Sequence, residues 1–203
     1  KFLQALGSPV FLLALVPWVL HITGVTVIQG ALLYYFQYVH GSQQAFQPAM
    51  MLLLVTSLLF IPVWVHLAGR MGKKRSYNIG MGIVAASVLL FFLVGHLALP
   101  VSYVLMVIAG IGLSTNYVMP NAILPDVVEH DYAYGGNRRE GVFYGLWTFG
   151  SKVGQAVALG VGGGILALFG YVSGAEQTAQ ALLGIRLLCG PIPVLFFEAG
   201  IVV

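Results

Sequence analysis

The chain has 203 residues, 59% of them hydrophobic and 7% charged, with a mean hydropathy of +0.94 and a formal net charge of +3. A soluble domain carries about 25% charged residues, so this composition excludes one. The few charges are too scattered to indicate nucleic acid as a partner. What remains is an all-α polytopic membrane protein: the 26 glycines suit closely packed membrane helices, and the strict alternation of a membrane β-barrel is absent. Cys189 is the only cysteine, so no disulfide can form within the chain.

A hydrocarbon core of ~30 Å takes ~20 helical residues to cross. Six apolar runs meet that length, at 9–38, 46–69, 77–97, 101–125, 141–170 and 178–203, and predict one six-helix transmembrane bundle over residues 1–203. Between them lie HGSQQ, RMGKKRS, LALP, a charged segment 126–140 expected as a loop, and VSGAEQT. The chain opens at Lys1 without the pattern of a signal peptide and stops inside an apolar run, which predicts a piece of a longer protein. Pro17, Pro62, Pro120, Pro125, Pro191 and Pro193 fall inside the spans. Each removes a backbone donor, and two readings stay open, ordinary helix bending and the broken backbone found around transporter cavities.

Basic residues set the orientation. Arg70, Lys73, Lys74 and Arg75 occupy the second connector and Arg138 and Arg139 the fourth, while the first, third and fifth contain neither Lys nor Arg. The positive-inside rule then places the second and fourth connectors and both chain ends in the cytoplasm.

One cation breaks this pattern. Lys152 lies about eleven residues, or ~16 Å, into the fifth run, near mid-membrane. A cation at that depth costs about 2.5–3.5 kcal/mol on insertion scales, so it requires a partner or a wet cavity. Tyr144, Thr148 and Lys152 follow four-residue spacing, with Ser151 and Gln155 on the same side, whereas Val142, Phe149, Val153, Val157 and Gly160 oppose them. A structural lysine paired with a buried acid is the alternative. None of the six acidic residues sits at that depth, so the pairing acid is expected outside this chain.

Weaker polar stripes run through Thr23, Thr26, Gly30 and Tyr34 in the first span and Asn116, Tyr117 and Asn121 in the fourth. They suit a lumen or hydrogen bonding between helices equally well. Arg186, about eight residues into the last span, fits either outward snorkelling or a cavity wall. GVGGGI at 160–165 lacks the strand and Lys-Ser/Thr of a phosphate loop, and the five histidines lack zinc spacing. The glycine pairs 150/154 and 160/164 are read as tight helix contacts. No nucleophile–base arrangement stands out, so no enzyme is expected.

The segments YYFQYVHG, LPDVVEHD followed by RREGVFYGLWTFGSKVG, and GYVSGAEQTAQALLGI resemble, in order and spacing, the carboxyl-terminal half of the melibiose-permease-like sugar:cation symporters. These form the glycoside–pentoside–hexuronide branch of the major facilitator superfamily. The resemblance implies twelve helices in two six-helix bundles, with this chain as one bundle and the amino-terminal bundle as its partner. It also implies alternating-access symport of a sugar in a bacterial cytoplasmic (inner) membrane. No cofactor is implied, because the coupling ion, Na⁺ or H⁺, is cargo.

By the same resemblance, Lys152 matches the family's mid-helix lysine, which faces acids of the other bundle, and Thr148 matches a threonine beside the cation and so a candidate metal-ion neighbour. Tyr117, Asn121, Tyr144, Trp147, Ser151, Gln155 and Thr26 are the candidate cavity lining. Asp126, Glu129, Arg138 and Glu140 fall where the family closes its cytoplasmic side by ionic contacts between bundles. A purely solvated connector is the other reading of that segment. Tyr117 stands where melibiose permeases carry Trp, Trp147 where they carry Gln, and Arg186 where they carry a neutral residue. The sugar is therefore open. A lysophospholipid symporter of the same fold and a self-associating six-helix protein are the alternatives.

Overall fold

The computed structural model describes residues 6–135 and 140–203, and in them six helical spans are long and apolar enough to cross a membrane. The first is α1, Pro9–Tyr34, with Pro at its start where a missing N–H costs nothing. It closes in a π-helical turn, Tyr35–Val39. Next come α2, Phe46–Met71, and α3, Lys73–Val94, separated by Gly72, whose φ of 90° lies in the left-handed region that favours glycine. The fourth is α4, Leu99–Gly135, and the fifth α5, Glu140–Leu168.

Two expectations need correction. The segment beginning at Asp126 is not a loop: α4 continues through it to Gly135, 37 residues in all. At 1.5 Å per residue that is ~55 Å, so the charged turns project beyond a ~30 Å core while remaining helical. No helix breaker stands between Pro125 and Gly135, and charge alone does not end a helix. The last span is not one helix either. It breaks at Cys189–Gly190 into α6, Ala179–Leu188, and α7, Pro191–Val202. Pro191 and Pro193 have no N–H to bond back into α6, and Gly190, at φ −147° and ψ −109°, makes the turn.

Helix α4 packs along α2 and α3, α1 lies against α5 and α7, and α7 returns to α3. Small residues set these approaches: a Cβ on Gly112 of α4 would fall on the Gly80 carbonyl of α3, and one on Gly154 of α5 would stand 2.7 Å from Thr23 Oγ1. Of the two glycine pairs read as tight contacts, Gly150 and Gly154 meet α1, whereas Gly160 and Gly164 meet nothing within 4 Å. The stripe through positions 150, 154 and 158 faces α1, and residues 160 and 164 have rotated off it.

Buried polar groups join the spans. His21 Nε2 donates to the Phe197 carbonyl at 3.3 Å, Trp64 Nε1 to that of Ile111 at 2.7 Å, and Tyr77 Oη to Asn116 Oδ1 at 3.0 Å. At the end opposite the basic connector, the Ser102 hydroxyl donates to the Gly95 carbonyl and so accepts from His40 Nε2 at 2.9 Å. Arg186 turns into the bundle there, donating to the Phe92 carbonyl at 3.0 Å and to His96 Nδ1 at 3.1 Å. Its open alternative thus closes on an inward tie between α6 and the α3–α4 turn.

Candidate functional site

Helix α5 is the least covered of the spans, with 11% of its most apolar window buried. It has three faces. Phe143, Trp147, Gly154 and Ala158 are buried against α1 and its neighbours; Phe149, Val153 and Val157 are exposed and apolar; Tyr144, Thr148 and Lys152 are exposed and polar, with Ser151 and Gln155 half-buried beside them. The four-residue spacing read from the sequence therefore forms one continuous polar strip.

Lys152 is the thirteenth of the 29 residues of α5, close to its midpoint. Its ammonium donates to Gln155 Oε1 at 3.1 Å. An ion pair joins Lys73 to Asp126, and among the described residues no carboxylate is paired with Lys152. Ser151 Oγ is committed to the Thr148 carbonyl at 2.8 Å, and Thr148 itself is exposed. A single neutral amide does not offset an ammonium at mid-membrane depth.

The other candidates divide. Tyr117, 41% exposed, and Asn121 share one open face of α4, Asn121 Nδ2 donating to the Tyr117 carbonyl at 2.9 Å. Asn116 does not join them: it is buried and holds the Tyr77 hydroxyl. Thr26 is half-buried, its hydroxyl given to the Ile22 carbonyl at 2.7 Å. With Gly30 and Tyr34 it borders a crevice of about 190 Å³ against Ala158, Leu159 and Gly162. Trp147 is turned off the polar strip. It is 7% exposed and stacks on Trp18, ring centroids 5.6 Å apart and planes 6° from parallel. One residue before Thr148 is ~100° around the helix, enough to turn the indole away from the strip.

At the basic end, Lys73 Nζ donates to Asp126 Oδ2 at 2.6 Å and to the Ala122 carbonyl at 3.0 Å. The sequence reading named Asp126 but missed this partner, because α3 and α4 meet only in the fold. Glu129 and Glu140 are exposed, Glu140 in the first turn of α5, where an acid suits the helix dipole. Arg138 lies outside the described residues.

The profile of the MFS/sugar transport protein family matches residues 1–203, the whole chain. The chain belongs to this MFS family. Among its relatives is the glucuronide carrier protein homolog of Escherichia coli (strain K12), 31% identical over 87% of this chain and 39% of its own length. The uncharacterized symporter YjmB of Bacillus subtilis (strain 168) is 34% identical over 79% of this chain and 35% of its own. The sodium-dependent lysophosphatidylcholine symporter 1-A of Danio rerio is 28% identical over 87% of this chain and 34% of its own. The chain thus spans about a third to two-fifths of these curated relatives. The resemblance seen in the sequence holds at family level, and this MFS chain is an integral membrane protein with an all-helical fold.

Proposed function

We propose that this chain is the carboxyl-terminal six-helix half of a symporter that couples Na⁺ or H⁺ to the uptake of a glycoside or related sugar by alternating access. One observation carries the reading: Lys152 stands exposed at mid-span on a polar strip, with only Gln155 as its partner among the described residues. An amino-terminal six-helix half would supply the facing carboxylates. Thr148, one turn before Lys152, is then the hydroxyl nearest the coupling ion. Tyr117, Asn121, Tyr144, Ser151, Gln155 and Thr26 offer the hydroxyls and amides that a sugar's hydroxyl groups require. Asp126, Glu129, Arg138 and Glu140 would belong to the cytoplasmic closure, where exposed pairs of about 0–1 kcal/mol each are weak enough to open in every cycle. The membrane in this reading is the bacterial inner membrane.

A lipid substrate is the second reading, favoured by the bare apolar flank of the same strip, where Phe149 is 66% and Leu159 68% exposed. Uptake by the full-length carrier in proteoliposomes under an imposed Na⁺ or proton gradient separates the two. Gradient-driven accumulation of a labelled glucuronide or galactoside, unaffected by lysophosphatidylcholine, supports the sugar. Accumulation of lysophosphatidylcholine alone transfers the proposal to the lipid. A protein that runs as a six-helix homo-oligomer and transports neither sinks both.

A further inference from the structure

A second cavity opens at the basic end, inside the bundle and on the buried face of α5, roughly 100° around the helix from the Lys152 strip. It holds about 330 Å³. Three kinds of wall meet in it. Lys73, Lys74 and Asp126 stand at the charged side; Val10, Leu13, Ala14, Ile123 and Val127 give an apolar side; and the stacked indoles of Trp18 and Trp147 close part of the interior. Asp126 already matches Lys73 at 2.6 Å, whereas no carboxylate side chain among the described residues is paired with Lys74. An open groove that shares Lys73, Lys74 and Asn78 with the cavity adds Arg75. Deeper in, the indole N–H of Trp18 is shielded from solvent and has no acceptor among the described residues. Trp18 is nine residues beyond the start of α1, roughly 13 Å along the helix.

A buried donor without a partner calls for an acceptor, and an apolar wall that ends in 55%-exposed Leu13 calls for hydrocarbon. A free phosphate ion would satisfy the lysines and leave both of these unmet. We propose that this cavity binds an anionic glycerophospholipid of the leaflet at the basic end. Its phosphate sits at Lys74 and Arg75, an ester carbonyl accepts from Trp18 Nε1, and an acyl chain lies along Val10, Leu13 and Ala14. Basic pockets between helices at this level are suited to such headgroups. Because it lies within one bundle and away from the strip, the bound lipid is a resident of the fold and not the cargo.

The test uses the full-length carrier, exchanged into mixed micelles of phosphatidylglycerol and phosphatidylcholine with matched chains, and counts retained lipids by native mass spectrometry. Wild type should retain phosphatidylglycerol in preference. Lys74→Gln should reduce that retention about fivefold, the usual worth of one lysine at an anionic surface. Trp18→Phe, which keeps an aromatic ring against Trp147 but loses the N–H, should also reduce it, while Arg70→Gln, at the same end but outside the cavity lining, should leave it unchanged. An equal loss in Arg70→Gln means diffuse surface charge and overturns the site. Equal retention of the two lipids overturns it too, as does displacement of the bound lipid by millimolar inorganic phosphate. Should Lys74→Gln not fold, Trp18→Phe against Arg70→Gln decides alone.

Discussion

Lys152 donates to Gln155 Oε1 at 3.1 Å, less than one turn along the same helix, and this local contact is the partner the six helices give it. An (i, i+3) bond to a neutral amide is worth a few tenths of a kcal/mol, against about 2.5–3.5 kcal/mol for placing the cation at mid-membrane. On the proposed reading, carboxylates of the other half make up this deficit.

Lys152→Ala in the full-length carrier should therefore abolish uphill transport while leaving folded yield equal to wild type or higher. Removing the ammonium leaves the proposed facing carboxylates repelling each other, which raises the pKa of at least one and weakens their hold on Na⁺. Lys152→Arg should rescue poorly, because a planar fork does not replace a compact ammonium. Cation stimulation of sugar binding, measured on purified protein with Thr148→Val as the milder lesion, checks this. Normal stimulation in the Ala variant would falsify the assignment.

At the proposed closure, Asp126 and Lys73 have side chains 58% and 41% exposed. Their pair should contribute no more than about 1 kcal/mol, so a double-mutant cycle on thermal stability should give a small coupling. Neutralising Asp126 and Glu129 together should instead shift the carrier toward its inward-open state, so that substrate affinity rises from one face and falls from the other. An unchanged ratio makes this end of α4 a solvated projection.

The two glycine pairs on α5 should behave differently. Gly154→Ala puts a methyl 2.7 Å from Thr23 Oγ1 and 3.0 Å from the Val19 carbonyl oxygen, and should cost roughly 1–3 kcal/mol as α1 and α5 separate. Gly160→Ala meets nothing within 4 Å and should be neutral or slightly stabilising. Melting temperatures of the two variants in one detergent make the comparison, and equal losses would contradict the packing described.

His40, in the first connector, has its pKa lowered by burial and then by the charge of His96. The neutral ring is thus the folded form, held at Ser102 Oγ. Its contribution is complete above the ordinary histidine value of 6.5 and is lost as pH falls below it, because the unfolded chain takes up the proton first. Melting temperature should drop between pH 7.5 and pH 5.5, and His40→Gln should flatten that part of the profile. An unchanged slope removes His40 from the account.

Orientation rests on basic residues alone. Of single cysteines at Lys73 and Gln43, on a background lacking Cys189, an impermeant maleimide added to intact cells should label position 43 and miss position 73. Labelling of position 73 from outside reverses the bundle.

The spans, their order and the polar strip on α5 were legible in the sequence because each depends on local quantities: run length against bilayer thickness, and the 3.6-residue period that lines up Tyr144, Thr148 and Lys152. The continuation of α4 past Asp126 was not, because a run of charges marks where the membrane ends and says nothing of where the helix ends. The side taken by a given residue also waited for the fold. Trp147 went inward because Trp18 offers a parallel ring, and Asn116 because Tyr77 needs an acceptor. Lys73 met Asp126, 53 positions away, because small residues let α3 and α4 approach closely. Such pairings join positions far apart in the chain and follow from which helices can touch, a property of backbone packing that no window of sequence contains.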